Sequence, residues 1–146
     1  MEAEVLAVLK HFLRARSGAS AVEFALVLPV FILVMLGIIA YGIYFGATHS
    51  VAQLAADAAR ASIAGLTDQE RVRIVTEHVQ RNAGQYALID AGNVSVDAGP
   101  VAGDVTQFRV AVVYDASRLP IWTLGPILPL PNQTIRRVAV IKRGGY

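Results

Sequence analysis

The sequence predicts an α+β chain: a long N-terminal membrane-spanning helix that continues into a small domain with a second helix and an antiparallel sheet of about three strands. Three observations predict it. From Phe24 to Ala47 no residue is charged, a run longer than the roughly 20 apolar residues that cross a bilayer as one helix. Apolar and small residues then recur at three- and four-residue steps as far as Ala64. After Gly92 the period changes to two, the signature of strands.

Composition narrows the functional classes. With 146 residues the chain holds one modest domain beside its helix. The net charge of +2 is small and the basic residues are scattered, so no nucleic-acid footprint exists. There is no cysteine, which excludes disulfides, thiolate metal sites and a cysteine nucleophile.

Residues 1–18, MEAEVLAVLKHFLRARSG, read as a leader. Lys10, Arg14 and Arg16 precede the apolar run, and the first basic residue beyond it is Arg60. This asymmetry puts the N-terminus in the cytoplasm and the remainder in the periplasm. A secretory signal has a shorter apolar core with small residues after it; here Gly18, Ala19 and Ser20 stand before the core. Two readings follow. Either a protease cuts between Gly18 and Ala19 and the helix stays with the mature protein, or the small residues are a flexible lead-in to an uncleaved anchor. Just inside the run sits Glu23, and an unpaired carboxylate in hydrocarbon costs several kcal/mol.

The helix is expected over residues 19–64, about 70 Å long, with its membrane span at about residues 24–46. Pro29 removes one backbone hydrogen bond and is expected to kink or loosen it. Gly42 and Gly46 form a GxxxG pair, and small residues let helices approach closely in lipid. Tyr41 and Tyr44 suit the outer interface. Beyond them Val51, Leu54, Ala55, Ala58 and Ser62 make a narrow stripe for close packing against a sheet or another helix, and Gly65 is the expected stop. Asp57 and Arg60 read as a solvated pair.

Residues 65–146 are the expected domain. Thr67-Asp68-Gln69-Glu70 is a capping box opening the second helix. Val72, Val75 and Val79 line its apolar stripe, residues 82–84 end it, and His78 reads as a surface histidine. Val94 and Val96 mark a short strand, Phe108, Val110, Val112 and Tyr114 a longer one, and residues 135–142 a third. The Gly-Pro and Gly-Asp pairs within residues 99–104 mark the turn between the first two. Residues 119–131, LPIWTLGPILPLP, are apolar and hold four prolines, so they cannot form a regular ladder. They are either a loop tucked over the sheet or an exposed patch that meets a partner or the membrane surface. On the second reading Trp122 is the anchor, with Leu124, Ile127 and Leu128 beside it. Trp122→Ala would then weaken partner capture and leave domain stability nearly unchanged.

No stretch carries catalytic chemistry. Asp90, Asp97, Asp104 and Asp115 fall near strand ends but lack the alternation and bidentate glutamate of a calcium loop. His49 and Ser50 adjoin each other with no glycine turn to build an oxyanion site. No phosphate loop and no usefully spaced carboxylate pair exist. The chain reads as a non-enzyme, with no metal and no cofactor expected.

The segment RSGASAVEFALVLPVF at residues 16–31 resembles the N-terminus of TadE-like minor pilins (pseudopilins) of the tight-adherence, Flp-type branch of type IV pili. The resemblance implies that a prepilin peptidase cuts after Gly18, leaving Ala19 first, Glu23 fifth and Phe24 next. It implies an inner-membrane protein that primes or joins an adhesive pilus, extracted by an ATP-driven machine. Its partners would be the peptidase, other minor and major pilins, the assembly platform and the lipid bilayer. Major pilins of this branch usually carry tyrosine where Phe24 stands, and are far shorter than the expected 146 − 18 = 128 mature residues; both departures point to the minor type. The free amine at Ala19 of one subunit could then meet Glu23 of a neighbour and set register, the bland alternative being a carboxylate that snorkels to the headgroups. Rival readings are an uncleaved single-pass scaffold with a partner-binding periplasmic domain, and a membrane-anchored periplasmic enzyme.

Overall fold

In a stretch with no polar side chains to compete for the backbone, a helix satisfies every interior N–H within its own segment. In the computed structural model, which describes residues 16–142, such a helix, α1, runs unbroken over Arg16–Ala61 and continues through Pro29. The basic leader residues Lys10 and Arg14 lie outside the described residues. A single 3₁₀ turn, Ser62–Ala64, follows α1. The chain divides into two units, residues 1–38 and 39–146. In the first, the apolar side chains from Val22 to Met35 are largely exposed, Phe24, Leu26 and Phe31 among them.

In the second unit the small-residue stripe of α1 is buried. Ala40, Ala47, Val51, Leu54, Ala55, Ala58 and Ala59 all lie in one core cluster, at the three- and four-residue steps that put side chains on one helix face. Ser62 is buried with them and donates from Oγ to the Ala59 carbonyl at 2.7 Å. The expected stop at Gly65 works by contact rather than by a left-handed conformation: its φ is −79°, and its carbonyl accepts from Arg71 Nε at 2.9 Å. A Cβ there would fall 2.9 Å from the Arg71 backbone nitrogen.

The second helix, α2, spans Asp68–Asn82 with Thr67 as its N-cap. The Thr67 hydroxyl accepts from the Glu70 N–H at 3.2 Å, and Glu70 Oε2 accepts from the N–H of Leu66 at 3.0 Å. The returning bond of the capping box therefore lands one residue earlier than in the usual motif. Val75 and Val79 are buried and Val72 packs against the core. His78 is half-buried, not a free surface side chain; its Nε2 is sealed and has no hydrogen-bond partner among the described residues. Asp57 and Arg60 do pair, but Asp57 also accepts from the hydroxyl of Tyr86. That bond, with the Arg60 charge, holds the Asp57 carboxyl below the ordinary aspartate value. Burial and the same bond push the Tyr86 hydroxyl up to about 12.

The sheet has three antiparallel strands in the order β1-β2-β3, with β1 at Val94–Val101, β2 at Asp104–Asp115 and β3 at Thr134–Lys142. β2 is central, so it is the strand whose alternate residues Phe108, Val110, Val112 and Tyr114 are fully or almost fully buried. β1 is longer than the expected short strand. Gly99 and Pro100 are not the turn but strand residues, paired with Arg109 and Phe108. Pro100 is tolerated because β1 is an edge strand that slips register just after it. The turn is Ala102-Gly103, where Gly103 takes φ +83°, a conformation open to glycine.

Residues 119–131 fold inward for the most part. Pro120–Leu124 is a 3₁₀ turn, Leu119 and Ile121 are buried, and Trp122, Leu124 and Leu130 pack against the core. Trp122 Nε1 donates to the Ala116 carbonyl at 2.6 Å. The base of the loop is closed by the Ala116 N–H donating to the Gln133 carbonyl at 2.8 Å. Trp122 is thus a half-buried plug of the core and not a solvent-facing anchor; Ile127 is the large apolar side chain of this loop that is exposed. Trp122→Ala is therefore expected to destabilise the domain by about 2–4 kcal/mol, seen as a lowered denaturation midpoint of the full chain in detergent.

The four aspartates have local work, and Asp97 lies mid-strand in β1 and not near a strand end as expected. Asp90 accepts from the Gly92 N–H at 3.0 Å, Asp104 from the Thr106 N–H at 2.9 Å and Asp115 from the Ser117 N–H at 2.9 Å. Asp97 pairs across the sheet with Arg109 at 2.7 Å. Asp104 and Asp115 are held below the ordinary aspartate value by the hydrogen bonds of Thr106 and Ser117. Among the described residues no cluster of three or more His, Asp or Glu side chains could hold a metal ion.

Candidate functional site

The residues singled out by sequence fall into two places. Gly18, Ala19, Ser20, Glu23 and Phe24 share the first turns of α1, all exposed. Helix geometry puts Ala19 and Glu23, four residues apart, on one face about 6 Å apart along the axis. Among the described residues, apart from its chain neighbours and its own helix backbone, nothing lies within 4 Å of the position a Cβ would take at Gly18. Gly18, Ala19 and Ser20 lie within α1. No ion pair to Glu23 exists among the described residues. A carboxylate at the head of an exposed apolar helix is left to find its counter-charge elsewhere.

The second place is the stretch of α1 from Ala40 to Ala47. Of the expected span at 24–46, residues 40–46 are covered on one side by their own domain: Ala40 is fully buried, and Ile43 and Tyr44 pack against the core. Tyr41 donates from its hydroxyl to the Pro129 carbonyl at 2.7 Å. The two glycines of the GxxxG pair differ. Gly42 is exposed with open space beside it, whereas a Cβ at Gly46 would fall 2.8 Å from Leu88 Cδ1. The close approach at Gly46 is thus made within the chain, by a residue of the same unit. Leu88 takes φ 64°, uncommon for a branched side chain. Neither Leu88 nor the bond from Tyr41 was legible in the sequence, because both link residues more than forty positions apart.

α1 is long and apolar enough to cross a membrane, which fits a membrane anchor. Residues 18–60 match the family described as TadE-like protein. The match begins at Gly18 and takes in Glu23, Phe24, Pro29 and both glycines of the GxxxG pair. No curated protein and no solved structure matches the chain.

Proposed function

We propose that this chain, TadE-like over residues 18–60, is a minor pilin or pseudopilin of a Tad pilus, cut after Gly18 by a prepilin peptidase and acting in pilus assembly or priming and in surface adhesion. The observation that carries the reading is the order Gly18-Ala19, Glu23, Phe24 at the exposed head of an apolar helix that no described part of its own unit covers. It sits in the inner membrane with its domain in the periplasm, as the Lys10, Arg14 and Arg16 asymmetry favours. Its partners are the peptidase, other minor and major pilins, the assembly platform and the bilayer. It is not an enzyme on this reading.

Cleavage creates a free α-amino group at Ala19, directed toward the cytoplasmic end of α1. That amine of one subunit pairs with Glu23 of its neighbour. Taking the two charges into lipid together costs far less than taking either alone, so the pair fixes the stagger between helices. Intact-mass measurement of the protein from piliated cells tests the reading: a chain starting at Ala19 is expected, and an unmodified Met1 start defeats it in favour of an uncleaved scaffold. Glu23→Ala deletes a costly group, so insertion is expected to be unharmed or improved while assembly fails. Normal adhesion and normal co-purification with other pilus components in that variant would defeat the pairing.

A further inference from the structure

Three segments far apart in sequence converge beside α1 where it meets its domain. Tyr41 is bonded to Pro129, and its ring lies 6.0 Å from that of Phe45, which lies 6.2 Å from Tyr44. The next residue, Gly46, has Leu88 against it. Phe45, Leu88 and Ile127 are 62%, 45% and 55% exposed, and Leu128 is half-buried. Residues 41–47, 86–89 and 124–131 contain no Asp, Glu, Lys or Arg, although charged residues are frequent through the rest of the domain. An exposed leucine held at φ 64° makes this convergence a built feature, since such a conformation persists only where its surroundings over-determine it.

We propose that Tyr41, Phe45, Leu88, Ile127 and Leu128 form a collar that rests in the headgroup–acyl boundary of the bilayer that α1 crosses. The proposal depends on the membrane-anchored reading above. Three arguments select lipid as the occupant. The first is length: a hydrocarbon core about 30 Å thick takes about 20 residues, and 20 residues counted from Phe24 end at Ile43, in the middle of the collar. The second is chemistry, since tyrosines with an apolar ring and a polar tip are enriched at that depth. The third is the absence of charge from all three segments, which removes the cost of placing them at an interface. The Tyr41 bond to Pro129 then ties the loop tip to the helix at the depth where the tip must lie.

The chain has no cysteine, so one introduced cysteine carries one nitroxide label. The full chain is reconstituted in phosphatidylethanolamine–phosphatidylglycerol vesicles as four variants: Phe31→Cys, Phe45→Cys, Ile127→Cys and Val105→Cys. Val105 is 77% exposed and stands at the hairpin end of the sheet as the water reference. Collisions with oxygen, which dissolves in lipid, are compared with those of a water-soluble nickel chelate. The expected result is an oxygen-to-chelate ratio highest at position 31, and severalfold higher at 45 and 127 than at 105. If 45 and 127 match 105 while 31 stays high, the collar is wrong and the anchor stands. If 31 also matches 105, the anchored reading itself fails. A label at 127 reached by neither reagent is covered by protein, and overturns the lipid assignment in favour of a protein contact.

Discussion

Gly18→Leu is expected to leave the full 146-residue chain in the membrane and to abolish pilus function. On the proposed reading, a leucine at Gly18 places four heavy atoms where a narrow protease subsite would accept a residue with no side chain. The helix loses nothing by the exchange, since leucine is the better helix former by about 0.8 kcal/mol and no described residue beyond the helix's own backbone and the chain neighbours lies within 4 Å to clash. Any loss of function therefore reports on processing and not on folding. Intact mass and membrane fractionation check it together. A chain that still begins at Ala19 in Gly18→Leu cells would show that the subsite tolerates a branched side chain. Efficient piliation from a chain that still begins at Met1 would remove processing from the mechanism altogether.

Phe108→Ala is expected to cost about 3–5 kcal/mol, the largest loss of stability in the domain from a single residue. Phe108 is fully buried on the central strand, where its backbone is paired with Pro100 on one side and Ile141 on the other. Phe108 lies in one core cluster with residues of both helices, and such surroundings relax only partly into the space, so a cavity term adds to the transfer term. Folded domains hold only about 5–15 kcal/mol in total, so the variant is expected to lose a large share of its stability. Denaturant titration of the full chain in detergent reads the loss as a lowered midpoint with unchanged slope. A shift of less than about 1 kcal/mol would mean that the core repacks around the vacancy, as softer interiors do.

The two predictions differ in what had to be known to make them. Gly18, Ala19, Glu23 and Phe24 form a linear motif on one helix and are all exposed among the described residues; chain order alone carries their chemistry. The same holds for α1, whose uncharged run has no other way to satisfy its backbone, and for the start of α2, where Thr67 and Glu70 cap locally. The alternation in β2 belongs here too, because period two together with four large apolar residues leaves one face to bury.

Tertiary structure decided what depends on partners distant in sequence. Gly99-Pro100 reads locally as a turn, and became part of β1 because the ladder with Phe108 and Arg109 continues past it on an edge where the missing N–H costs nothing. An apolar stretch with four prolines has no periodicity to say which side chains turn inward; the bond from Trp122 to Ala116 and the burial of Leu119 and Ile121 settled that. His78 was hidden by the sealing of its Nε2, Gly46 was occupied by Leu88, and Asp57 gained Tyr86 besides Arg60. The collar is the extreme case, assembled from residues near 43, 88 and 128. Sequence determines which segments shed water because that preference belongs to each side chain, whereas only the packed chain determines which of those segments meet, because contact is a property of pairs.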